Sequence, residues 1–368
     1  MKTKLNSQNQ SSDTGITQAD VIKLGLDVHA DKIVVVRLLD NGAPQPPQRF
    51  TREQFLAWVE KQRQLAKQVF SCYEAGPFGY SLHRELEKRG VSNYVVRPRD
   101  WDEYGQKVKT DQRDAKQLAL ELDRFVRGNR AALCVIRVPT PEEEQRRSRT
   151  RQRESLLREK LRLAAQGRSH GLYYGFPVHG EWWKEARWQS LAKTCPAFLI
   201  ELLAPLRRLI EAVEIELAQS EKGLRAAFPA PLPLGVGELT ARILESEIGN
   251  WTRFQNRRQV ASYTGMCPRE HSSGNKRSQG HISKHGNRRV RALLIECGWR
   301  LCRFQPDYRP VQHWRDILLN PLASRARRKQ LLVAVGRRFA VDWWRIRTGQ
   351  CAPETFGLKI KLNPDAKP

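Results

Sequence analysis

Residues 21–40, VIKLGLDVHADKIVVVRLLD, decide how the first third of the chain folds. Two apolar runs, VIKLGLD and IVVVRLLD, flank the short stretch VHAD, and the second run is rich in β-branched residues. Such side chains suit a pleated backbone, and a short break between two such runs predicts antiparallel strands joined by a tight turn. Outward from this pair, QRFTR predicts a third strand, and EQFLAWVEKQRQLA at 53–66 spaces its apolar residues as a helix does. QVFSCYE predicts a buried strand, GPFGYSLHRELEKRG a helix stopped by Gly90, and SNYVVRP a strand stopped by Pro98. KTDQRDAKQLALELDRF at 109–125 then predicts a helix opened by Thr110, with Asp111 and Asp114 in its first turn. Strands first, then strand and helix in alternation, specify an α/β layer with a mixed sheet and flanking helices.

The acids fall at informative places. Asp27 ends the first strand and Glu74 ends a later one, where ligands of open α/β sheets gather. Asp111 and Asp114 lie three apart on one helix face, and acidic side chains suit that end of the dipole. Singly, each has a plain reading: Asp27 starts a turn, Glu74 caps a helix, and the other two are solvated. Asp31 and Asp100 read as turn residues. Four carboxylates in this order point instead to a site for hard divalent cations, Mg²⁺ with Mn²⁺ as a substitute, able to clamp the oxygens of a phosphodiester. The arrangement resembles the RNase H or RuvC-like nuclease fold, in which the first strand carries an Asp, a later strand a Glu and a late helix further Asp.

Charge points the same way. Across 368 residues, 65 Lys and Arg against 39 Asp and Glu give +26 and a pI near 10.2. That field implies a polyanionic partner, most simply nucleic acid. An anionic membrane is the rival, but there is no apolar run of about 18 residues and no signal-peptide pattern, so no membrane role is expected. The seven cysteines form no CxxC pair or zinc-spaced cluster, so reduced thiols in a cytoplasm are expected.

Residues 1–18 are polar and expected to be disordered, 19–138 form the α/β domain, and 139–225 a helical spacer. Thr140-Pro141 and three Glu open a charged helix over 141–166, which reads either as a solvated face or as a basic coiled-coil arm along a phosphate backbone. GLYYGFPVHGEWWKEARW breaks its pattern, and 197–222 restore it with strong apolar periodicity, predicting a long helix pair. Tyr173, Tyr174, Trp182 and Trp183 read as packing ahead of a base-stacking platform. From 226 to 350 a mostly helical C-terminal domain is expected. In it, Gly235-Val236-Gly237 opens a helix like a helix–hairpin–helix turn, and a Gly- and Ser-rich loop leads into an apolar helix from about Arg288. Lys276, Arg277, Lys284, Arg288, Arg289 and Arg291 give that stretch a dense phosphate-binding character. After an irregular 305–318, a basic amphipathic helix carries the core stripe Leu331, Val335, Phe339 and Trp343, and 351–368 are expected to be a flexible tail.

Taken together, Asp27, Glu74, TDQRDA, YTGMCPREHSSG and GHISKHGNRRVRALL resemble the insertion-sequence 110 transposases, also called DEDD transposases, with the Piv-type DNA invertases as relatives. The likeness runs over roughly residues 20–350. It implies a RuvC-like domain with a Mg²⁺-binding tetrad at Asp27, Glu74, Asp111 and Asp114, a coiled-coil spacer, and a Transposase 20 C-terminal domain with a nucleophilic serine. That serine falls in His271-Ser272-Ser273-Gly274, with Ser273 first, Ser272 second and Ser283 a distant third. It also implies donor and target DNA as substrates, a structured bridge RNA that pairs with both, assembly as dimers to tetramers, and a prokaryotic, nucleoid-associated setting. Two readings compete: a Holliday-junction resolvase-like hydrolase or invertase, needing the acids but not the serine, and an inactive nucleic-acid-binding scaffold.

Overall fold

The structure, a computed structural model, describes residues 19–98, 110–224, 231–270 and 278–361. The expectations for residues 1–18 and for Asp100 lie outside these. The chain divides into two compact units, Met1–Val138 and Pro139–Pro368.

The first unit is built on a five-stranded sheet. β1 (Ala19–Val28), β2 (Ile33–Leu39) and β3 (Gln48–Phe50) form an antiparallel meander, followed by α1 (Arg52–Leu65). β4 (Ala66–Glu74) then pairs parallel to β1, and after α2 (Ser81–Lys88) β5 (Ser92–Val96) pairs parallel to β4. The spatial order is β3-β2-β1-β4-β5. The last element of the sheet layer is α3 (Asp111–Val126), with Thr110 at its N-cap position. The mixed sheet, its flanking helices and the hairpin at 28–33 follow the sequence pattern.

Alternation along β1 divides the two faces. Ile22, Leu24 and Leu26 are fully buried and pack with Phe55, Val59, Leu82 and Leu86 of α1 and α2. Lys23, Gly25 and Asp27 face the other way, toward α3. At Gly25 the helix backbone lies directly on the strand: a Cβ there would collide with Ala115 O and Ala119 N. Only glycine permits so close an approach. Two residues back, Lys23 is 3% exposed and its Nζ donates to Asp123 Oδ1 and to Asp40 O, each at 2.6 Å. The late residues of α3 therefore sit by the start of β1, and its first turn by the end of β1.

The second unit is helical. α4 (Pro141–Tyr173) begins with a capping box in which Thr140 and Glu143 satisfy each other's backbone N–H, with Pro141 in the first turn. It runs a full two turns beyond 166. The break falls at 174–184, and α5 (Glu185–Thr194), absent from the sequence reading, intervenes before α6 (Ala197–Leu224). α6 returns antiparallel to α4: Lys160 Nζ meets Glu214 at 2.8 Å and Arg153 meets Glu221 at 2.6 Å. Trp182 and Trp183 are buried at the end of this pair, Trp182 donating to Ala164 O at 3.1 Å, whereas Tyr173 and Tyr174 are exposed.

Then come α7 (Glu238–Ile248), α8 (Arg257–Thr264), the hairpin β6 (Pro268–Glu270) and β7 (Gln279–Ile282), and α9 (Arg288–Phe304). The stretch 305–318, expected to be irregular, contains two short helices, α10 (Arg309–His313) and α11 (Arg315–Leu318), before α12 (Arg325–Arg347). Leu331, Val335, Phe339 and Trp343 of α12 are buried, as their spacing predicts, and the last three share one core with Val290, Leu294 and Leu301 of α9. The segment after Cys351 is a correction to the sequence reading. It is held as far as Lys361: Phe356 and Leu358 are buried, Pro233 bridges Ile360, and Gln305 Nε2 donates to Lys359 O at 2.7 Å. Phe356, Leu358 and Ile360 form too short an apolar pattern, behind Pro353 and across Gly357, for periodicity to register.

Gly25→Ala should overpack the seat of α3. Overpacking of this kind costs about 1–3 kcal/mol, which should lower the melting temperature of the first unit by roughly 5–15 °C in calorimetry. A melt indistinguishable from the parent would show that α3 does not bear on residue 25.

Candidate functional site

The seating of α3 assembles an acidic cluster. Leu26 pairs with Tyr73 across β1 and β4, so the next residues, Asp27 and Glu74, end neighbouring parallel strands. Parallel strands lie about 4.8 Å apart. The first turn of α3 brings Asp111 to the same edge. Ligand atoms of Asp27, His29 and Asp111 all lie within 4.8 Å of one another, and all three residues are half-buried. His29 Nε2 is 3.0 Å from Asp27 Oδ2 and 3.5 Å from Asp111 Oδ2. Lys32 Nζ donates to Asp111 Oδ2 at 2.8 Å. That hydrogen bond, with the charges of His29 and Lys32, holds the Asp111 carboxyl below the usual carboxylate range.

Of the four acids anticipated, the structure thus brings Asp27 and Asp111 into one cluster. Glu74 stands beside Asp27 at the strand end and Asp114 one turn into α3, both outside the 4.8 Å group. His29 and Lys32 were missed. A signal for His29 was available, because it follows Asp27 by two and lies one residue past the end of β1, where the alternation of the strand would carry it to the same side. Lys32 is placed by the turn, where His29 N donates to Lys32 O at 2.9 Å.

The donor set fits a divalent cation: the two carboxylates suit Mg²⁺ or Mn²⁺, and the imidazole moves the preference from Mg²⁺ toward a transition ion such as Mn²⁺. Ligation would use the Nε2 lone pair of a neutral imidazole. Lys32 stands as a competing cation on Asp111.

In the second unit, Ser272, Ser273, Lys276 and Arg277 lie outside the described residues, which resume at Ser278. The strands that bound this segment are described: Glu270 pairs with Gln279 and Pro268 with Ile282. Ser283 N donates to Cys267 O at 2.7 Å, Lys284 N to Gly265 O at 3.0 Å, and Asn287 N to Tyr263 O at 2.8 Å. Lys284 itself is in the left-handed region, φ 58°. The basic residues divide. Lys284 and Arg288 are exposed. Arg289 ion-pairs with Glu154, and Arg291 donates to the carbonyls of Thr264 and Lys284 at 3.1 and 3.2 Å.

Residues 234–312, which include this hairpin, match the family described as Transposase IS116/IS110/IS902. A protein of Sinorhizobium fredii named as a transposase is 32% identical over 302 residues, covering 74% of this chain and 75% of the relative. The chain belongs to this transposase family. A second S. fredii protein so named is 34% identical over 239 residues, 63% of this chain and 58% of the relative. The transposase for insertion sequence element IS1111A of Coxiella burnetii is 23% identical over 346 residues, 90% of this chain and 91% of the relative. The transposase is thus a DNA-processing enzyme of insertion-sequence type, and among its described residues no helix is long and apolar enough to cross a membrane.

One buried carboxylate organises the transposase's hairpin. Glu247, at the end of α7, is fully buried and takes a bidentate pair from Arg151 of α4, at 2.9 and 3.0 Å. Asn287 Nδ2 donates at 2.9 Å to Oε2, which also accepts from Arg151, while Asn287 Oδ1 caps α9 by accepting from Arg289 N and Val290 N. Tyr263 OH donates to Glu247 O at 2.8 Å. Both ends of the β6–β7 hairpin are therefore referred to one residue, the exit through the Glu247 carboxylate and the entrance through its backbone carbonyl. Burial works to raise the Glu247 pKa, but the hydrogen bonds from Arg151 and Asn287 and the Arg151 charge outweigh it, and the net direction is down.

Two outcomes are expected. Glu247→Gln should destabilise the second unit by roughly 1–3 kcal/mol at neutral pH. Because the folded pKa is depressed, that stabilisation is complete above the ordinary glutamate value and lost as pH falls through the folded value. The gap between wild type and Glu247→Gln in urea melts should therefore close in acid, and a pH-independent gap would count against the charge. At the acidic cluster, Asp27→Asn and His29→Ala should each weaken Mn²⁺ binding by about tenfold or more. Lys32→Met should tighten it. Titration calorimetry reads all three, and unchanged affinity in the first two would dismiss the cluster as a metal site.

Proposed function

We propose that this transposase joins donor and target DNA through a serine nucleophile assisted by a divalent cation at a RuvC-like acidic site. The observation that carries this reading is the convergence of Asp27, His29 and Asp111 at the C-terminal edge of a sheet ordered β3-β2-β1-β4-β5. A family membership alone would not say where the chemistry sits. A mixed sheet with an Asp near the end of its first strand, a strand-end Glu and helical Asp residues supports the RNase H or RuvC-like reading.

In this reading Asp27, Glu74, Asp111 and Asp114, with His29, would hold Mg²⁺, which would supply Lewis-acid polarisation of the scissile phosphate. The hydroxyl of Ser273 attacks phosphorus. One P–O bond to DNA breaks as the Ser–O–P bond forms, the serine proton departs, and the released deoxyribose oxygen takes up a proton. Attack by the hydroxyl of the second DNA strand on the phosphoserine reverses these changes and regenerates the serine. One phosphodiester is exchanged for another, so no outside energy source is needed. A free serine is a weak nucleophile and requires such an oriented setting. The Glu247–Asn287 hub supports the reading because it fixes the strands bounding the serine segment. A bridge RNA that pairs with both DNAs selects the sites, and an oligomer, dimer to tetramer, brings acids and serine together. The net charge of +26 suits two nucleic-acid partners.

A second reading has its own observation. The acidic cluster lies wholly within the first compact unit, and hydrolysis by water would need nothing from the second. That reading is a junction nuclease.

The deciding experiment incubates the protein with Mg²⁺, the RNA encoded beside its gene, and donor and target DNA. Joined product is expected, and Ser273→Ala and Asp27→Asn should each reduce it by at least about 10³-fold, the scale of removing a nucleophile. A DNA-linked peptide spanning 271–277 should be recoverable by mass spectrometry. Undiminished joining by Ser273→Ala would falsify the serine's role, and cleavage that persists with no adduct would favour the nuclease.

A further inference from the structure

The second unit contains an open cleft of about 840 Å³ that none of the preceding functions uses. Its walls come from four elements. Arg257 and Arg258 stand at the start of α8, Arg309 at the start of α10, and Arg337 and Arg338 on α12, with Trp314 between. The hairpin supplies the remaining side, through Cys267, Pro268, Glu270 and Gln279. Five guanidiniums thus face one carboxylate.

Arginines this dense are ordinarily neutralised within a protein. Here Arg257, Arg258, Arg309 and Arg337 have no carboxylate partner among the described residues. Arg338 has one, and it anchors the wall. Its Nε lies 3.5 Å from Asp342 Oδ2, and Asp342 is buried and accepts from Tyr308 OH at 2.9 Å. Arg257, Arg258, Arg309 and Arg338 are exposed, and Arg337 is half-buried, so their heads are available to solvent. An isolated surface arginine is unremarkable. Four or five that converge on one concavity from separate elements repel one another unless an anion joins them.

We infer that this cleft binds the sugar–phosphate backbone of the DNA substrate and leads it along the β6–β7 hairpin. Guanidinium forks match phosphate oxygens in geometry and charge. The chemistry alone fits any nucleic-acid backbone. DNA is the occupant chosen because the strands on the cleft wall are those that enter and leave segment 271–277, so this inference rests on the DNA-joining reading.

The test measures fluorescence anisotropy of a labelled DNA duplex of arbitrary sequence with the full chain over a salt series. The triple variant Arg257→Ala/Arg309→Ala/Arg337→Ala should weaken binding about tenfold or more at low salt and reduce the salt slope by about 2–3, near 0.9 per lost phosphate contact. A matched triple in the first unit, Arg49→Ala/Arg124→Ala/Arg130→Ala, removes the same charge and should leave the slope near the parent value. Thermal melts verify folding, and charge-preserving Arg→Lys substitution at the three cleft positions should restore part of the affinity. Equal losses in the two triples would overturn the inference, since the general field would then explain binding. A cleft triple that loses structured RNA and keeps DNA would also overturn it. The two proposals fail separately: normal DNA binding by the cleft triple with serine-dependent joining sinks only the cleft, and cleft-dependent binding without joining sinks only the reaction.

Discussion

The first unit depends on one close contact, the backbone of α3 lying on β1 at Gly25. Without a side chain at that point, Ala115 and Ala119 reach the strand itself, and the small residues on both sides let the helix drop onto the sheet. The geometry of the acidic edge follows from this seating. One turn before Ala115 is Asp111, and two residues beyond Gly25 is Asp27. The paired charges of Lys23 and Asp123 at the opposite end fix the direction of the helix, because a buried ammonium without its partner would be costly. A packing constraint at one residue is thereby converted into a geometry among titratable groups.

The second unit solves a similar problem with polar atoms. Its hairpin has two short strands and little apolar surface, and such a hairpin is marginal alone. Glu247 compensates by binding three partners at once, from α4, α8 and the cap of α9. The same arrangement explains why α4 belongs to this unit: Arg151 and Glu154 reach α7 and α9 along its first half. A helix that reads from sequence as a spacer arm is also a structural member of the C-terminal part.

Charge is distributed between these roles unevenly. Some arginines that a sequence would assign to nucleic acid are bound within the protein, as Arg289 is to Glu154 and Arg291 is to two carbonyls. Others that carried no motif, on α8, α10 and α12, meet at one cleft. A guanidinium's purpose depends on what lies within about 4 Å of it, and linear spacing does not report that distance for residues on different helices.

Much was legible beforehand for definite physical reasons. The period-2 and period-3.6 patterns specified every strand of the sheet, α1, α3 and the long helices, and the strand-end positions of Asp27 and Glu74 followed from where the apolar runs stop. The buried stripe of α12 was equally plain. By itself the sequence determined a mixed α/β layer, a helical second part, a strongly cationic chain and the placing of Asp27 and Glu74 near strand ends, because these are properties of local periodicity and composition. Tertiary structure alone decided that Asp111 meets Asp27 through His29, that Lys32 occupies their edge, that the segment to Lys361 is packed, and which arginines are committed. Each of these turns on the distance between residues far apart in the chain, set by how closely two backbones approach, and no local pattern encodes it.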